Sequence, residues 1–395
     1  MPGRIVLYGA TGYTGRLTAQ AMLARGARPV LAGRDAGRLS ALSARLSRAG
    51  GGVALETAVA GAEGPAALRE LIGTGDVLVS TAGPFLKVGR AAVAAAMDAG
   101  AVYLDSSGEP PFIRAVFEQH GPRAERTGAV LLTAFGYDYV LGNLAGALAL
   151  SAAGPAVTRV DVGYFVRGDL RRAASAGTRA SAAGVLLEPG YTFRDGRIAS
   201  ERAAARVRSF EVDGKIREAF SIGSSEHFAL PKLQRVTGAA DGGDAASGLR
   251  DVGVYLGWFG GATRIVHYGS AFAALLGRLP GVRQAIDIQA RRIQRSRAEP
   301  DPAERIQSDV VAVAADSRGR ELAVVHLTGG DPYSFTAGIL AWAACQAAGQ
   351  FPRPAGALGP VEAFGTDALQ AACADAGISR RQVGSMEISQ PKSDN

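Results

Sequence analysis

The 395-residue chain predicts an α/β fold: a doubly wound parallel sheet carrying an inserted α+β domain built on a mostly antiparallel sheet. Three observations predict it. The chain opens with an apolar run, a glycine loop and a helical stretch. Short apolar runs then alternate with helical stretches as far as about residue 134, the pattern of strands joined by crossover helices. Beyond about Leu144 the pattern changes to apolar–polar alternation, as in half-buried strands.

The first element is Ile5-Val-Leu-Tyr8, followed by Gly9-Ala-Thr-Gly-Tyr-Thr-Gly15 and a helix closed at Gly26. Strand, tight turn and helix in that order suit a Rossmann-type dinucleotide site. Gly9 permits the turn, Gly12 lets backbone approach a pyrophosphate, and Gly15 lets helix and strand pack closely. Thr11, Tyr13 and Thr14 share the loop, whose free N–H groups face the phosphates. The second strand, Pro29-Val-Leu-Ala32, ends at Gly33-Arg34-Asp35, with Arg38 one turn on. A carboxylate at the strand tip would bind a ribose 2′-hydroxyl, whereas arginine pairs with a 2′-phosphate. Arg34 and Arg38 therefore predict NADP(H) over NAD(H), and Asp35 predicts a helix cap.

A third strand is expected over Val53–Thr57, a helix over Pro65–Ile72 and a fourth strand over Asp76–Ser80. The continuation Thr81-Ala82-Gly83-Pro84 brings backbone to the carboxyl edge, where open α/β sheets bind ligands. A helix over Arg90–Ala99 leads to the fifth strand, Ala101–Asp105, and to Ser106-Ser-Gly-Glu109. A helix over Phe112–Arg126 then precedes the sixth strand, Ala129–Ala134. Ser80 to Pro84, Asp105 and Ser106 are thus expected beside the cofactor. Tyr137 is the expected proton donor, with Asp138 and Asp105 as alternatives if burial raises their pKa.

In the second part, strands are expected over Val157–Val166, Ala205–Val212, Arg217–Ile222, Asp251–Gly257, Ser308–Ala315 and Glu321–Thr328. The last two form a hairpin through Asp316–Arg320. Helices are expected over Gly177–Leu187, Phe335–Ala348 and Gly365–Ala376. Ser224-Ser-Glu-His227 and Tyr191 are candidates to face the cleft. An apolar tract, Gly257–Ala262 with Tyr268–Gly277, precedes a basic one, Arg291–Arg297. It reads either as a greasy substrate mouth beside a docking patch for an acidic carrier protein or a lipid surface, or as a core helix and a solvated face. The expected division is a cofactor domain over 1–143, a substrate or dimerisation domain over 144–350, and a segment over 351–395.

Composition narrows the classes. Formal net charge is +7, but the arginines are scattered, which argues against a nucleic-acid surface. No apolar run reaches about 20 residues, so no membrane span is expected. The first strand starts too early to leave room for a signal peptide, and the expected location is cytoplasmic. Cys345 and Cys373 read as buried small hydrophobes. His120, His227, His267 and His326 lack metal-ligand spacing, and no serine occupies a Gly-x-Ser-x-Gly elbow.

Five ordered motifs carry a family resemblance: Gly-Ala-Thr-Gly-Tyr-Thr-Gly, Ala-Gly-Arg at the second strand, Ala-Gly-Pro-Phe85, Tyr103-Leu-Asp-Ser-Ser-Gly-Glu109 and Gly136-Tyr-Asp138. With Gly329-Gly-Asp-Pro-Tyr333, Thr336 and Gly356–Gly365, the chain resembles the saccharopine dehydrogenase-like superfamily, and within it the trans-acting enoyl reductases. The resemblance implies that the chain's end returns to the cofactor domain. It also implies an NADPH-dependent reductase acting on an activated double bond, either the C=C of an enoyl thioester or the C=N of an imine, in lipid, polyketide or other secondary metabolism. A saccharopine-type amino-acid imine reductase would want convergent arginines, for which Arg167, Arg171 and Arg172 are candidates. A catalytically silent NADP-binding sensor or scaffold is the alternative of another class. The chain departs from the family pattern at Leu141 and Asn143, where proline and aspartate are usual. Expected partners are a small-molecule or carrier-bound substrate, and a homodimer could form.

Overall fold

The computed structural model describes residues 2–49, 52, 54–61, 65–168, 188–240, 248–276, 306–349 and 354–381. The first unit runs β1 (Ile5–Tyr8), α1 (Tyr13–Ala24), β2 (Val30–Gly33), α2 (Ala36–Ala49), β3 (Thr57–Val59), α3 (Ala66–Arg69) and β4 (Val77–Ser80). It continues with α4 (Phe85–Ala99), β5 (Val102–Asp105), α5 (Pro110–Ala115), a π-turn over Val116–His120, α6 (Gly121–Thr127) and β6 (Val130–Leu132). Strands β1 and β4 are short, apolar and buried along their whole length, as expected where helices cover both faces of a parallel sheet.

The strand order is β3-β2-β1-β4-β5-β6-β15, where β15 is Gly356–Ala357, and every pairing in this sheet is parallel. The order reverses between β1 and β4, so a crevice opens at their carboxyl ends. The chain's late return to this sheet is visible in β15, which pairs with β6.

The second sheet contains β7 (Arg159–Arg167), β8 (Pro189–Arg194), β9 (Arg197–Arg202), β10 (Val207–Val212), β11 (Lys215–Ser221), β12 (Asp251–Leu256), β13 (Gln307–Ala315), β14 (Glu321–Gly329) and β16 (Ser379–Arg381). Its main path is β10-β11-β12-β7-β13-β14-β16, with β8 paired to β12 and β9 to β8. Only the β12–β7 pairing is parallel; the others are antiparallel. Its helices among the described residues are α7 (Tyr137–Ala153), α8 (Glu226–Ala240) and α9 (Thr263–Leu276), after which α10 (Pro332–Ala348), α11 (Pro360–Phe364) and α12 (Thr366–Asp375) complete the chain.

Several elements differ from expectation. The third strand lies at Thr57–Val59 rather than Val53–Thr57, and the long helix over Phe112–Arg126 is broken by the π-turn. The β8–β9 hairpin and helix α8 had no strong periodic signal. Strand β9 is only partly buried on either side, and α8 carries Pro231 within it. The helix expected over Gly177–Leu187 lies outside the described residues. Helix α7 packs on β7, β13 and β14, and α10 packs on α1, β1, β4 and β5. Helix α7 thus packs with the second sheet and α10 with the first, while β16 pairs with β14 of the second sheet. One continuous apolar core, running from Val6 through Leu144 to Val310, joins the two sheets. A smaller cluster around Phe165, Phe210 and Tyr255 lies on the second sheet. Cys345 and Cys373 are free thiols, Cys373 fully buried, and burial pushes the Cys373 thiol up to about 12.

Candidate functional site

The glycine loop leaves β1 at Gly9, whose φ of 84° is left-handed, and its N–H bonds the Ala32 carbonyl of β2 at 3.0 Å. A Cβ there would sit 2.7 Å from the Ala82 nitrogen, so glycine is needed for both shape and space. At Gly15 a Cβ would fall on the Gly9 carbonyl, and Thr81 stands just behind. Thr81 in turn donates from its hydroxyl toward the Tyr8 and Gly9 carbonyls, each at 3.2 Å. Helix α1 begins after Gly12 with no side-chain cap and no acidic residue in its first turn. Its first N–H groups and positive dipole end therefore suit an anion. Tyr13 packs edge-on against Tyr333, with ring centroids 5.2 Å apart.

At the neighbouring strand end, Gly33 closes β2 and Arg34 stands exposed. Arg38 is also exposed and donates to the Thr11 carbonyl at 3.1 Å, which draws its guanidinium over the loop. Asp35 accepts from the Arg38 N–H at 3.0 Å, the expected cap of α2. The cradle and its two arginines fit a dinucleotide phosphorylated on its ribose. Ser80 is fully buried. Ala82, Gly83 and Pro84 carry the chain from β4 into α4, so all these groups share the carboxyl edge.

Asp105 and Glu109 are occupied. Asp105 is fully buried and accepts from the Ser107 N–H at 2.7 Å, the Ala134 N–H at 2.9 Å and the Thr133 hydroxyl at 2.8 Å. Burial raises its pKa to about 6 despite those donors. Glu109 accepts from the Phe85 and Leu86 N–H groups, both at 2.9 Å, and so caps α4. Ser106 lies across from Gly136: a Cβ on Gly136 would approach Ser106 at 3.8 Å and Thr336 at 3.3 Å.

The turn into α7 is irregular. Asp138 is extended (ψ 133°) and Tyr139 takes a left-handed φ of 84°, a strained conformation for a bulky side chain. The surrounding structure fixes it. Thr336 accepts from the Tyr137 N–H at 2.9 Å, and the Tyr164 hydroxyl accepts from the Tyr139 N–H at 2.7 Å. Asn143 donates from Nδ2 to the Tyr139 carbonyl at 2.7 Å and to Ser225 at 3.0 Å. Asn143, the departure from the family pattern, thus ties the turn to α8.

Tyr137 is buried, and desolvation raises its pKa far above the ordinary tyrosine value. Asp138 is only partly buried by surface, yet its Oδ1 is enclosed and unpartnered. Desolvation, reinforced by the nearby Glu226 carboxylate, raises its pKa to about 7. Glu226 is fully buried, and burial raises its pKa to about 7 as well. Tyr164 donates to Glu226 Oε1 at 2.5 Å, and the Ser225 hydroxyl donates to Oε2 at 3.3 Å. Tyr191 donates to the Ser224 carbonyl at 3.1 Å and packs on His227, which burial keeps neutral by pushing its pKa down to about 3.

The expected residues thus gather along one edge, and Ser106, Gly136, Tyr137 and Asp138 meet at its far end. Tyr164, Glu226 and Asn143 join them from the second unit. The run Ser224–His227 was legible as a candidate, whereas Tyr164 is one aromatic in an alternating strand and carried no signal. Arg167, a candidate for binding a substrate carboxylate, is held by Asp213 at 2.9 Å and Asp309 at 3.0 Å. Arg171, Arg172 and the basic tract Arg291–Arg297 lie outside the described residues.

Residues 5–132 match the family model of the saccharopine dehydrogenase NADP binding domain. Over 142 residues the chain is 39% identical to a trans-acting enoyl reductase from Mycobacterium ulcerans and equally to one from Mycobacterium leprae. Each match covers 35% of this chain and 34% of the relative, so the likeness spans about a third of those proteins. Apo saccharopine dehydrogenase (L-Glu forming) from Saccharomyces cerevisiae has a similar fold. The TM-score is 0.55 at 11% identity, covering 96% of this chain and 100% of that one.

Proposed function

We propose, from the premise that residues 5–132 form a saccharopine dehydrogenase NADP-binding domain, that the chain is an NADPH-dependent reductase of an activated double bond, with an enoyl thioester as its substrate class. The observation that carries this reading is Asp138. It is a carboxyl whose enclosed Oδ1 lacks a partner, placed one turn beyond β6 on the edge that carries the glycine loop. NADPH, when bound, supplies the hydride. The first N–H groups of α1 and the Arg34 and Arg38 guanidiniums would hold its phosphates, and Ser80 to Pro84 and Ser106 would border the rest. The α-carbon of the substrate then needs a proton. Asp138 supplies it: its O–H bond breaks, the electron pair stays on the carboxylate, and bulk water restores the proton. With a pKa near neutrality, Asp138 suits this role better than Tyr137.

The surroundings favour a neutral acyl group over a dicarboxylate amine. Tyr137 packs edge-on against Phe335 and Tyr164, and Tyr139 against Tyr164. The cation nearest in purpose, Arg167, is already paired. The relatives named trans-acting enoyl reductases support the same choice. A carrier-bound acyl group would also need a docking face. Ile265, Tyr268 and Phe272 are exposed along α9, ahead of the basic tract at Arg291–Arg297.

The test is NADPH absorbance with crotonyl thioesters against cyclic imines. Crotonyl thioester should oxidise NADPH, and Asp138→Asn should slow kcat by roughly 10²- to 10⁴-fold, the usual worth of a positioned general acid. Turnover of imines alone would move the assignment to C=N reduction. Silence with every substrate, with NADPH still bound, would favour the sensor or scaffold.

A further inference from the structure

We propose that the Nε2–H of His227 is a hydrogen-bond donor to the thioester carbonyl of the substrate, holding the oxygen on which negative charge collects as the β-carbon is reduced. This rests on the reductase reading above, in which the substrate is an enoyl thioester. His227 lies in the first turn of α8 and is 1% exposed. Its hydrogen bonds fix the tautomer. The Ser224 N–H donates to Nδ1 at 3.1 Å and the Ser224 hydroxyl stands 3.0 Å from the same nitrogen, so Nδ1 presents its lone pair. The Ser224 carbonyl is farther, at 3.3 Å, and already receives the Tyr191 hydroxyl at 3.1 Å. A neutral imidazole with its lone pair on Nδ1 carries its proton on Nε2. That Nε2 is enclosed and has no hydrogen-bond partner among the described residues. A buried donor left without an acceptor is costly, and folded proteins satisfy nearly all of theirs.

The turn that carries His227 stands where the two units meet. The loop after β5 leaves the carboxyl edge of the parallel sheet and is met by a tight glycine at each end, Gly136 opposite Ser106 and Gly223 opposite Pro110. A Cβ at Gly223 would lie 3.0 Å from the Pro110 Cβ and 2.7 Å from the Tyr191 ring. Phe228 stacks on Phe117 of the π-turn, with centroids 4.7 Å apart. On the other side, a Cβ at Gly142 would collide with both the Tyr164 hydroxyl and Glu226, so only glycine lets α7 come this close to α8. The run Ser224–His227 is thus clamped between the loop after β5 and α7, whose first turn bears Asp138. A small cavity lined by Pro110, Tyr191, Ile222 and Gly223 lies beside it. The acceptor that suits this donor is uncharged. Tyr191 packs edge-on against the imidazole at 5.5 Å, and the cation that acts on His227, Arg206, is occupied by Thr192 at 2.7 Å and Glu201 at 3.1 Å. A carbonyl oxygen fits such surroundings better than a carboxylate. As a hydride adds to the β-carbon, the C=C pair moves toward the carbonyl and charge gathers on its oxygen. The Nε2–H strengthens its bond to that oxygen and keeps its own proton. The carbonyl then re-forms as the pair on the α-carbon takes the proton of Asp138.

The experiment binds the crotonyl thioester of coenzyme A, ¹³C-labelled at its carbonyl, to the full chain together with NADP⁺, so that no turnover occurs, and reads the carbonyl stretch by infrared difference spectroscopy. In wild type the stretch should fall to lower frequency on binding. That shift should be lost in His227→Phe and largely kept in His227→Gln, whose amide places an N–H near the position of Nε2. With NADPH, His227→Phe should lower kcat by roughly 10²- to 10³-fold, the usual worth of one such donor, at nearly unchanged KM and NADPH affinity, and His227→Gln should recover part of the loss. An unshifted stretch in wild type, or a shift that survives in folded His227→Phe, overturns the proposal, while wild-type turnover leaves the reductase reading standing. If His227→Phe fails to fold, the ¹⁵N resonance of Nε2 in histidine-labelled wild type decides. It should be protonated in the free chain and move when the thioester binds, and a bare or unmoved Nε2 overturns the proposal. A wild type that binds NADPH but turns over no thioester sinks the reductase reading and leaves the carbonyl stretch to decide the donor.

Discussion

Asp105 and Asp138 are both aspartates at the carboxyl edge of the parallel sheet, and their partners separate them. Asp105 receives three donors from the loop it organises, whereas Asp138 leaves its enclosed Oδ1 without a partner. The two have the same sequence signal, an aspartate at or just past a strand end. What distinguishes them is the chain that folds back over each, which no local pattern records. Arg34 is the opposite case, since its position at a strand tip already states its role. Arg34→Ala should weaken NADPH binding by roughly 10- to 100-fold, the loss of one or two charge-assisted hydrogen bonds, while NADH binding stays unchanged. Calorimetric titration with both dinucleotides checks this, and an equal loss for both would remove Arg34 from 2′-phosphate recognition.

The informative element is α7 with its irregular first turn. Its entry, Gly136-Tyr-Asp138, was legible as a motif. The left-handed Tyr139 was not, because a tyrosine gives no local cause for a positive φ. The cause is distant: Thr336, Tyr164 and Ser225 all reach this turn from later in the chain. Gly142 follows the same logic, and its reason for being glycine is Tyr164 and Glu226. Gly142→Ala should therefore cost about 1–3 kcal/mol by overpacking and should lower activity more than NADPH affinity, since the glycine loop is untouched. Chemical denaturation with parallel NADPH titration separates these effects. A fully stable, fully active variant would mean that the close approach at α7 is not needed.

Across the molecule, the parallel sheet was legible almost strand by strand because its buried strands are continuous apolar runs bounded by turn residues. In the second sheet β7, β10, β11, β12, β13 and β14 were legible as strands, whereas β8, β9 and β16 were not. The β8–β9 hairpin and α8 depend on packing, and α8 brings Glu226 into the site. Burying this glutamate carries a signed consequence for stability. Its carboxyl pKa is raised on folding from the ordinary 4.5 to about 7, so the folded state binds more protons than the unfolded one between those values. Its contribution to stability is thus present below about pH 4.5 and is lost as pH rises through about 7. Asp138 acts in the same direction, whereas His227, held neutral down to about pH 3, acts in the opposite one. A difference measurement isolates Glu226. Relative to wild type, Glu226→Gln should gain on the order of 2–3 kcal/mol as pH rises from about 4.5 to 7.5, the value of its raised pKa. Denaturation midpoints of both proteins at a series of pH values read this directly. A difference that stays flat across that window would mean that the Glu226 carboxyl is solvated as the chain folds, and that the two units do not close over it.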